Sequence, residues 1–261
     1  MEHTVRALSS KGTSLMSPSD NPAELLIRKL EWVGSLSAKQ REALLRLEAV
    51  RVSVDAHQDI ALEGDRPSLV TLLLAGFACR YKLVSDGKRQ ITSFHIPGDI
   101  PDLSSLFIPV MDHNFCSLAP SELAVIPHAA MLALFHEQPQ VAHLFWRDTL
   151  VDAAVFCEWM VGIGRRSAFT RVAHLFCELI VRMQAVGLCS DYSVELPVTQ
   201  TDIADALGLS TVHVNRTLQE IRGAGLIKFS RGRLVALDWE GLCDAGEFEQ
   251  SYLHRQRTKT V

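Results

Sequence analysis

Apolar and polar positions follow several different periods along the chain. Within residues 23–47, Leu25, Leu26, Leu30 and Val33 recur at helical spacing, which predicts short helices. From Arg51 to about Pro127 the pattern changes to short runs separated by turn residues. Arg51–Val54 alternates, Ile60–Ala61–Leu62 closes on Gly64-Asp65, and Thr71–Val84 reads as one long apolar run. Ser85-Asp86-Gly87 then separates that run from Lys88–Ile96, a hairpin signal because glycine accepts the positive φ such turns need. Pro97-Gly98-Asp99 ends this strand, and Ser121–Pro127 predicts one more. Several short strands between turn signals predict an antiparallel roll or barrel.

Beyond the strands, Val141–Met160 forms a long helical stretch without glycine or proline. A helix of ~20 residues spans about 30 Å. Its apolar residues, Val141, Leu144, Phe145, Thr149, Val151, Ala154, Val155 and Trp159, cover more surface than one domain face requires. Such a helix is either buried in a core or the seam between two copies, and its place between a β region and a helical one favours the seam. Gly162–Ser167 interrupts the pattern and reads as a hinge. Phe169, Val172, Leu175, Phe176, Leu179, Ile180 and Met183 then predict a helix with one buried face, which Gly187 stops.

Composition narrows the class. The 261 residues are 48% hydrophobic and 21% charged, which excludes a disordered chain. The six cysteines, Cys79, Cys116, Cys157, Cys177, Cys189 and Cys243, form no CxxC pair, which argues against a zinc ribbon and suits a reducing cytosol. No secretory signal opens the sequence, and the longest apolar stretch, Leu72–Cys79, is far short of the ~20 residues that span a bilayer. A cytoplasmic protein without membrane contact is expected. The net charge of −4 conceals a gradient: residues 165–235 carry nine Lys/Arg against six Asp/Glu, whereas residues 1–164 carry 14 against 19. A basic segment inside an acidic chain is where a phosphate-facing surface is expected.

That segment contains the most informative stretch, residues 199–222. Thr199 can cap a helix with Asp202 three residues on, and Ile203, Ala204 and Leu207 form its inner face. Gly208 supplies a left-handed stop, Ser210 caps the next helix, and Val214, Leu218 and Ile221 form the inner face of that one. Two short helices joined by a turn containing glycine predict a helix-turn-helix. Thr211, Val212, Asn215 and Arg216 then point outward near the start of the second helix, where such helices touch base edges. Arg216 can donate two bonds to guanine, while Val212 offers only apolar contact, for instance to a thymine methyl. Two strands around Arg231-Gly232 predict a β-wing that brings Lys228, Arg231 and Arg233 to phosphates, with Thr199 and Ser210 as further phosphate candidates at the helix starts.

Thr201–Arg216 resembles the helix-turn-helix of the Crp/Fnr family of bacterial transcription regulators. Leu74-Ala75-Gly76, Ser85–Lys88 and Pro97–Ile100 are similar to that family's cyclic-nucleotide-binding-type β-roll. The resemblance covers about residues 24–240 and implies a homodimer, a sensor roll, a dimerising helix and a winged helix reading a palindromic operator. Double-stranded DNA and a second copy are the implied partners, with RNA polymerase if the protein activates transcription.

The family pattern is not followed throughout. Members that bind cyclic AMP carry Gly-Glu-Leu and then Arg-Ser/Thr in the roll. Here Pro101-Asp102-Leu103 stands for the first, and the second falls near Met111–Asn114, with no arginine. Asp102 and Asp112 would set negative charge against an anionic phosphate, so a cyclic AMP site is not expected. His95, Asp102, His113 and Asn114 are the candidate effector pocket, and no cofactor is assigned. No cysteine precedes Cys79, against the family's N-terminal iron–sulfur cluster. His57, His95 or His113 could ligate a haem, although a single histidine in a roll is more often a hydrogen-bonded structural residue. His174 and Cys177 supply too few ligands for zinc. In much of the family a Glu at the position of Val212 reads the half-site, so a different operator is expected.

The expected organisation is α+β. An arm at 1–22 precedes an antiparallel β-roll at 23–137, and a dimerisation helix and hinge occupy 138–164. A winged helix-turn-helix at 165–240 and a solvated tail at 241–261 complete it. An effector-binding module whose winged helix contacts protein is the alternative. An enzyme finds no support, because no Ser/His/Asp set, paired carboxylates or Gly-rich phosphate loop can be assembled.

Overall fold

The structure, a computed structural model, describes Asn21 and residues 23–255. The expected arm therefore lies, apart from Asn21, outside the described residues. Two compact units divide them: one runs to Lys82 and takes in Phe94–Thr149, and the other comprises Leu83–Ser93 with Leu150–Arg255.

The first unit opens on the two expected short helices, α1 (Ala23–Val33) and α2 (Ala38–Leu45). The Asn21 side chain accepts the Ala23 amide at 2.9 Å, and Ser37 and Gln40 close a reciprocal capping box on α2. Seven strands follow: β1 (Val50–Val54), β2 (Asp59–Ala61), β3 (Leu69–Ala75), β4 (Ala78–Leu83), β5 (Arg89–His95), β6 (Asn114–Ser117) and β7 (Ser121–Pro127). They form two sheets, ordered β1-β7-β3 and β2-β6-β4-β5. Strand alternation sends Leu123 and Val125 of β7 into a core shared with Ile60, Ala78 and Phe115 of the other sheet. Their neighbours Ala124 and Ile126 face a second core containing Leu26, Ile27 and Leu30 of α1.

Two features of the roll differ from the expectation. The run Thr71–Val84 is not one strand, because it turns at Gly76 and crosses from one sheet to the other. Gly76 has φ +94°, and a Cβ there would lie 2.7 Å from the Pro120 carbonyl oxygen, so only glycine fits the corner. Strand β6 was not expected. It is four residues long and buried throughout, so it shows no alternation of apolar and polar positions.

Helices α3 (His128–Glu137) and α4 (Pro139–Arg165) continue the chain. The 27 residues of α4 span about 40 Å. Within the hinge expected at Gly162–Ser167, the helix breaks only at Arg166 and Ser167. Gly162 and Gly164 lie inside the last turns, and the Arg166 amide still bonds the Gly162 carbonyl at 3.1 Å. A helix tolerates isolated glycines at a cost of ~1 kcal/mol each, and this one ends where Ser167 caps its successor, α5 (Ala168–Ala185).

The second unit is built on α5, whose Val172, Phe176, Leu179 and Ile180 are fully buried. Strand β8 (Ser193–Glu195), helices α6 (Gln200–Leu207) and α7 (Thr211–Gly223), strands β9 (Ile227–Ser230) and β10 (Arg233–Ala236), and helix α8 (Trp239–Gly246) complete it. The three strands form a sheet in the order β8-β10-β9. Only one residue of β8, Val194, is buried, which left no periodic signal in the sequence. As far as Arg255, the expected solvated tail is instead folded. Asp238 caps α8, a 3-10 turn follows at Gln250–Leu253, and Leu242 and Leu253 are buried. Asp244, Glu247 and Glu249 are exposed on the outer side of this segment and hid its apolar inner side.

Candidate nucleic-acid interface

The helix-turn-helix follows from local chemistry. Thr199 and Asp202 form a reciprocal cap on α6: the Asp202 amide donates to Thr199 Oγ1 at 3.1 Å, and the Thr199 amide donates to Asp202 Oδ2 at 2.9 Å. Gly208, at φ +63° and ψ +40°, ends α6 in the left-handed region and turns the chain. Arg171 of α5 donates to the Leu207 carbonyl at 2.7 Å, pairing an end group of α6 that its own helix cannot satisfy. Ser210 Oγ accepts the His213 amide and starts α7. Ile203, Ala204 and Leu207 of α6 are buried, as are Val214, Leu218 and Ile221 of α7.

With its inner face fixed in this way, α7 leaves Thr211, Val212, Asn215 and Arg216 in solvent. Val212 is 81% exposed, an apolar side chain with no partner in its own fold. Gln200 Oε1 accepts from Asn215 Nδ2 at 3.0 Å, and Gln219 Nε2 donates to Asn215 Oδ1 at 3.1 Å. These two glutamines orient the Asn215 amide and were missed in the sequence, although Gln219 stands one helical turn from Asn215 on the same face. Arg216 lies 3.7 Å from Glu220 in an exposed pair, which is weak enough to exchange for another acceptor.

The wing forms as expected. Ser230 pairs with Arg233 across a two-residue turn, in which Arg231 and Gly232 both take positive φ. Lys228 and Arg231 are exposed, and Arg233 is tied to Ser193 of β8 at 2.9 Å. Arg222 donates to the Phe229 carbonyl at 2.6 Å, joining the end of α7 to the wing. The Thr199 hydroxyl is already engaged, since it donates to Asp202 Oδ2 at 2.6 Å, and Ser210 uses its oxygen as a cap.

The tip of the β4–β5 hairpin belongs to the same unit. Arg89 donates to Asp202 Oδ1 at 2.5 Å and to Asp205 Oδ2 at 2.8 Å, while Gln90 donates to the Ala206 carbonyl at 3.2 Å. Asp202 is buried, so the guanidinium gives its second oxygen a charged partner. No sequence signal pointed to this clamp, because its members are more than 100 residues apart.

Each of the expected effector residues has a partner within the roll. His95 is buried, with Nδ1 3.3 Å from Asp99 Oδ2. Asp102 is also buried and accepts the Thr71 amide at 2.7 Å, so its charge points into the roll instead of toward a ligand phosphate. Burial lifts its pKa to about 6. His113 pairs with exposed Asp112 at 2.6 Å, and burial lowers its pKa. Asn114 accepts the Glu63 amide at 3.0 Å. His57 is exposed, and its amide donates to the Ser117 carbonyl. Among the described residues, no group of three or more His, Cys, Asp or Glu is arranged to hold a metal ion.

The expected seam residues of α4 need a similar correction. Val141, Val155 and Trp159 are buried in their own chain, and Leu144 packs over Gly34. Trp159 Nε1 donates to the buried Glu178 at 3.0 Å. Val151 is half-buried, and the exposed Thr149 returns its hydroxyl to the Phe145 carbonyl. The large apolar residues left in solvent are Trp146 (66% exposed), Leu150, Phe156, Met160 (59%), Val161 and Ile163, which lie along one side of the helix. Because α4 is apolar nearly all round, periodicity could not separate the stripe covered by its own chain from the stripe left open. No helix among the described residues is long and apolar enough to cross a membrane.

Comparison with known proteins agrees with this geometry. The Crp-like helix-turn-helix domain model matches residues 170–245, and the cyclic nucleotide-binding domain model matches residues 51–138. The nitrogen fixation regulation protein FixK of Bradyrhizobium diazoefficiens is 32% identical over 192 residues, covering 72% of this chain and 78% of the relative. The transcriptional activatory protein AadR of Rhodopseudomonas palustris is 28% identical over 206 residues, with 77% and 82% covered. The solved structure of FixK2 from Bradyrhizobium japonicum aligns with a TM-score of 0.69 at 26% identity, covering 76% of this chain and 98% of that one. A roll, a long helix and a capped helix-turn-helix with its wing occur here in the same order, and the chain belongs to the Crp/Fnr family of transcription regulators.

Proposed function

We propose that two copies of this chain bind a palindromic operator, each inserting the start of α7 into a major groove. The observation that carries this reading is the solvent-facing row Thr211, Val212, Asn215 and Arg216 on a helix whose opposite face is fully buried. Arg216 offers a fork for guanine O6 and N7, Asn215 an oriented amide for adenine, and Val212 a contact for a thymine methyl. Lys228, Arg231 and Arg233 supply salt-sensitive phosphate contacts from the wing, and Ser210 supplies one at the start of α7. Thr199 contributes less than the sequence suggested, since its hydroxyl is held by Asp202.

The two copies meet along Trp146, Leu150, Phe156, Met160 and Ile163, which removes that stripe from water. The likeness to AadR, a transcriptional activatory protein, supports an activating role with RNA polymerase as a further partner. The roll takes a signal other than cyclic AMP: residues 111–114 hold no arginine, and Asp102 is committed to the Thr71 amide.

Selection from a random duplex library with the full-length protein tests the reading. The expected product is a palindrome with half-sites about 34 Å apart, bound less tightly as salt rises. Recovery of no preferred sequence, with binding indifferent to salt, would overturn it.

A further inference from the structure

Helix α8 lies so close to α5 that a Cβ on Gly246 would stand 2.8 Å from the His174 amide nitrogen and 3.0 Å from its Cα. Backbones that touch leave room only for short side chains one turn away. Cys243 of α8 and Cys177 of α5 occupy that place, with their sulfurs 4.0 Å apart. Cys177 is fully buried. Cys243 is half-buried and lines an open cavity of about 490 Å³, together with Arg166, His174, Phe248 and Tyr252.

We propose that Cys177 and Cys243 are a reversible disulfide site that staples the C-terminal extension to the scaffold helix of the DNA-binding unit. Cys243 is the attacking thiol, since the cavity gives a small oxidant access to it. The hydrogen bond from the Cys177 thiol also holds its pKa below the usual thiol value, against the opposing charges of Asp244 and Glu240. Cys177, the donor of that bond and deeply buried, is held up as a thiol. With a peroxide as oxidant, Cys243 sulfur takes one oxygen to become the sulfenic acid, and one water leaves. Cys177 sulfur then attacks Cys243 sulfur, the S–O bond breaks, and the departing hydroxide leaves as water with the Cys177 proton. Two thiols have lost two electrons, and one peroxide has become two waters. A second thiol pair tests the part played by access. Cys79 and Cys116 face each other across β4 and β6 at 3.5 Å, nearer than the first pair, yet both are shut inside the roll. They stay reduced.

The full-length protein, treated with hydrogen peroxide, alkylated and digested without reductant, reads this directly by mass spectrometry. The expected product is a linked Cys177–Cys243 peptide that dithiothreitol abolishes. It is absent from C243S, which alters only a half-exposed site, and from C177A. Closing this long loop raises the melting temperature of the unit by several degrees in the oxidised wild type, and dithiothreitol reverses the rise. Glutathione oxidised in a parallel sample reports that the dose of oxidant is effective. Recovery of both Cys177 and Cys243 alkylated at that dose would overturn the proposal. Pairing of Cys243 with another cysteine, a Cys79–Cys116 bond formed in its place, or a linked peptide without a change in melting temperature would do the same.

Discussion

Exchanging Asp102 for asparagine probes the interior of the roll at one atom. The carboxyl belongs to a residue only 3% exposed, and its Oδ1 accepts the Thr71 amide at 2.7 Å. Burial disfavours the charged form, the Thr71 amide offsets part of that, and the pKa rises from 3.8 to about 6. An acid whose pKa rises on folding holds its proton more tightly in the folded state. The stability it contributes is therefore complete below about pH 4, declines as pH rises toward about 6, and is absent above. At roughly 1.4 kcal/mol per pH unit, the decline amounts to about 3 kcal/mol. Asp102→Asn keeps an acceptor oxygen for Thr71 and removes the charge. Its amide brings two new donors into a closed site, which costs ~1–3 kcal/mol at every pH if they stay unpaired. Urea unfolding of both proteins at about pH 4 and about pH 7.5 separates the two effects. Between those conditions the wild type should lose about 2–3 kcal/mol that the variant does not lose. Parallel pH dependences for the two proteins would refute burial as the source of the raised pKa.

Other perturbations address the DNA-binding surface and the seam. Arg216→Ala should cost ~1–3 kcal/mol on the selected operator and relax preference at one base pair, with little change on random duplex, as a binding titration on both DNAs would reveal. Lys228→Ala should instead weaken both DNAs alike and reduce the slope of log K against log salt by about 1, measured by titration at several salt concentrations. Met160→Glu sets a charge in the open apolar stripe of α4 and should turn the dimer into a folded monomer in sedimentation. An unchanged dimer would exclude that stripe as the seam.

Much of the interface was legible in the chain because its determinants are local. The caps at Thr199 and Ser210, the left-handed Gly208, and the inner residues Ile203, Leu207, Val214, Leu218 and Ile221 all act within one or two helical turns. Once those inner residues are buried, the outward direction of Val212 and Arg216 follows from helical periodicity. The hairpin turns of the roll and wing were legible for a similar reason, since Gly87 and Gly232 each take the positive φ that their turns need. The candidate effector residues were not, because a polar residue type says nothing about its partner: Asp102 binds an amide 31 residues away.

The hydrophobic pattern and the capping residues therefore set which segments are helix or strand and which face of α7 meets solvent, since each such preference is satisfied by near neighbours. Packing between distant segments settled the rest. It chose which stripe of α4 stays open and folded residues 239–253 onto α5. It also seated Arg89 on Asp202, 113 residues along the chain, and set Cys243 against Cys177. Those outcomes depend on how surfaces fit across the fold, and a surface fit depends on shape and distance that no single stretch of chain encodes.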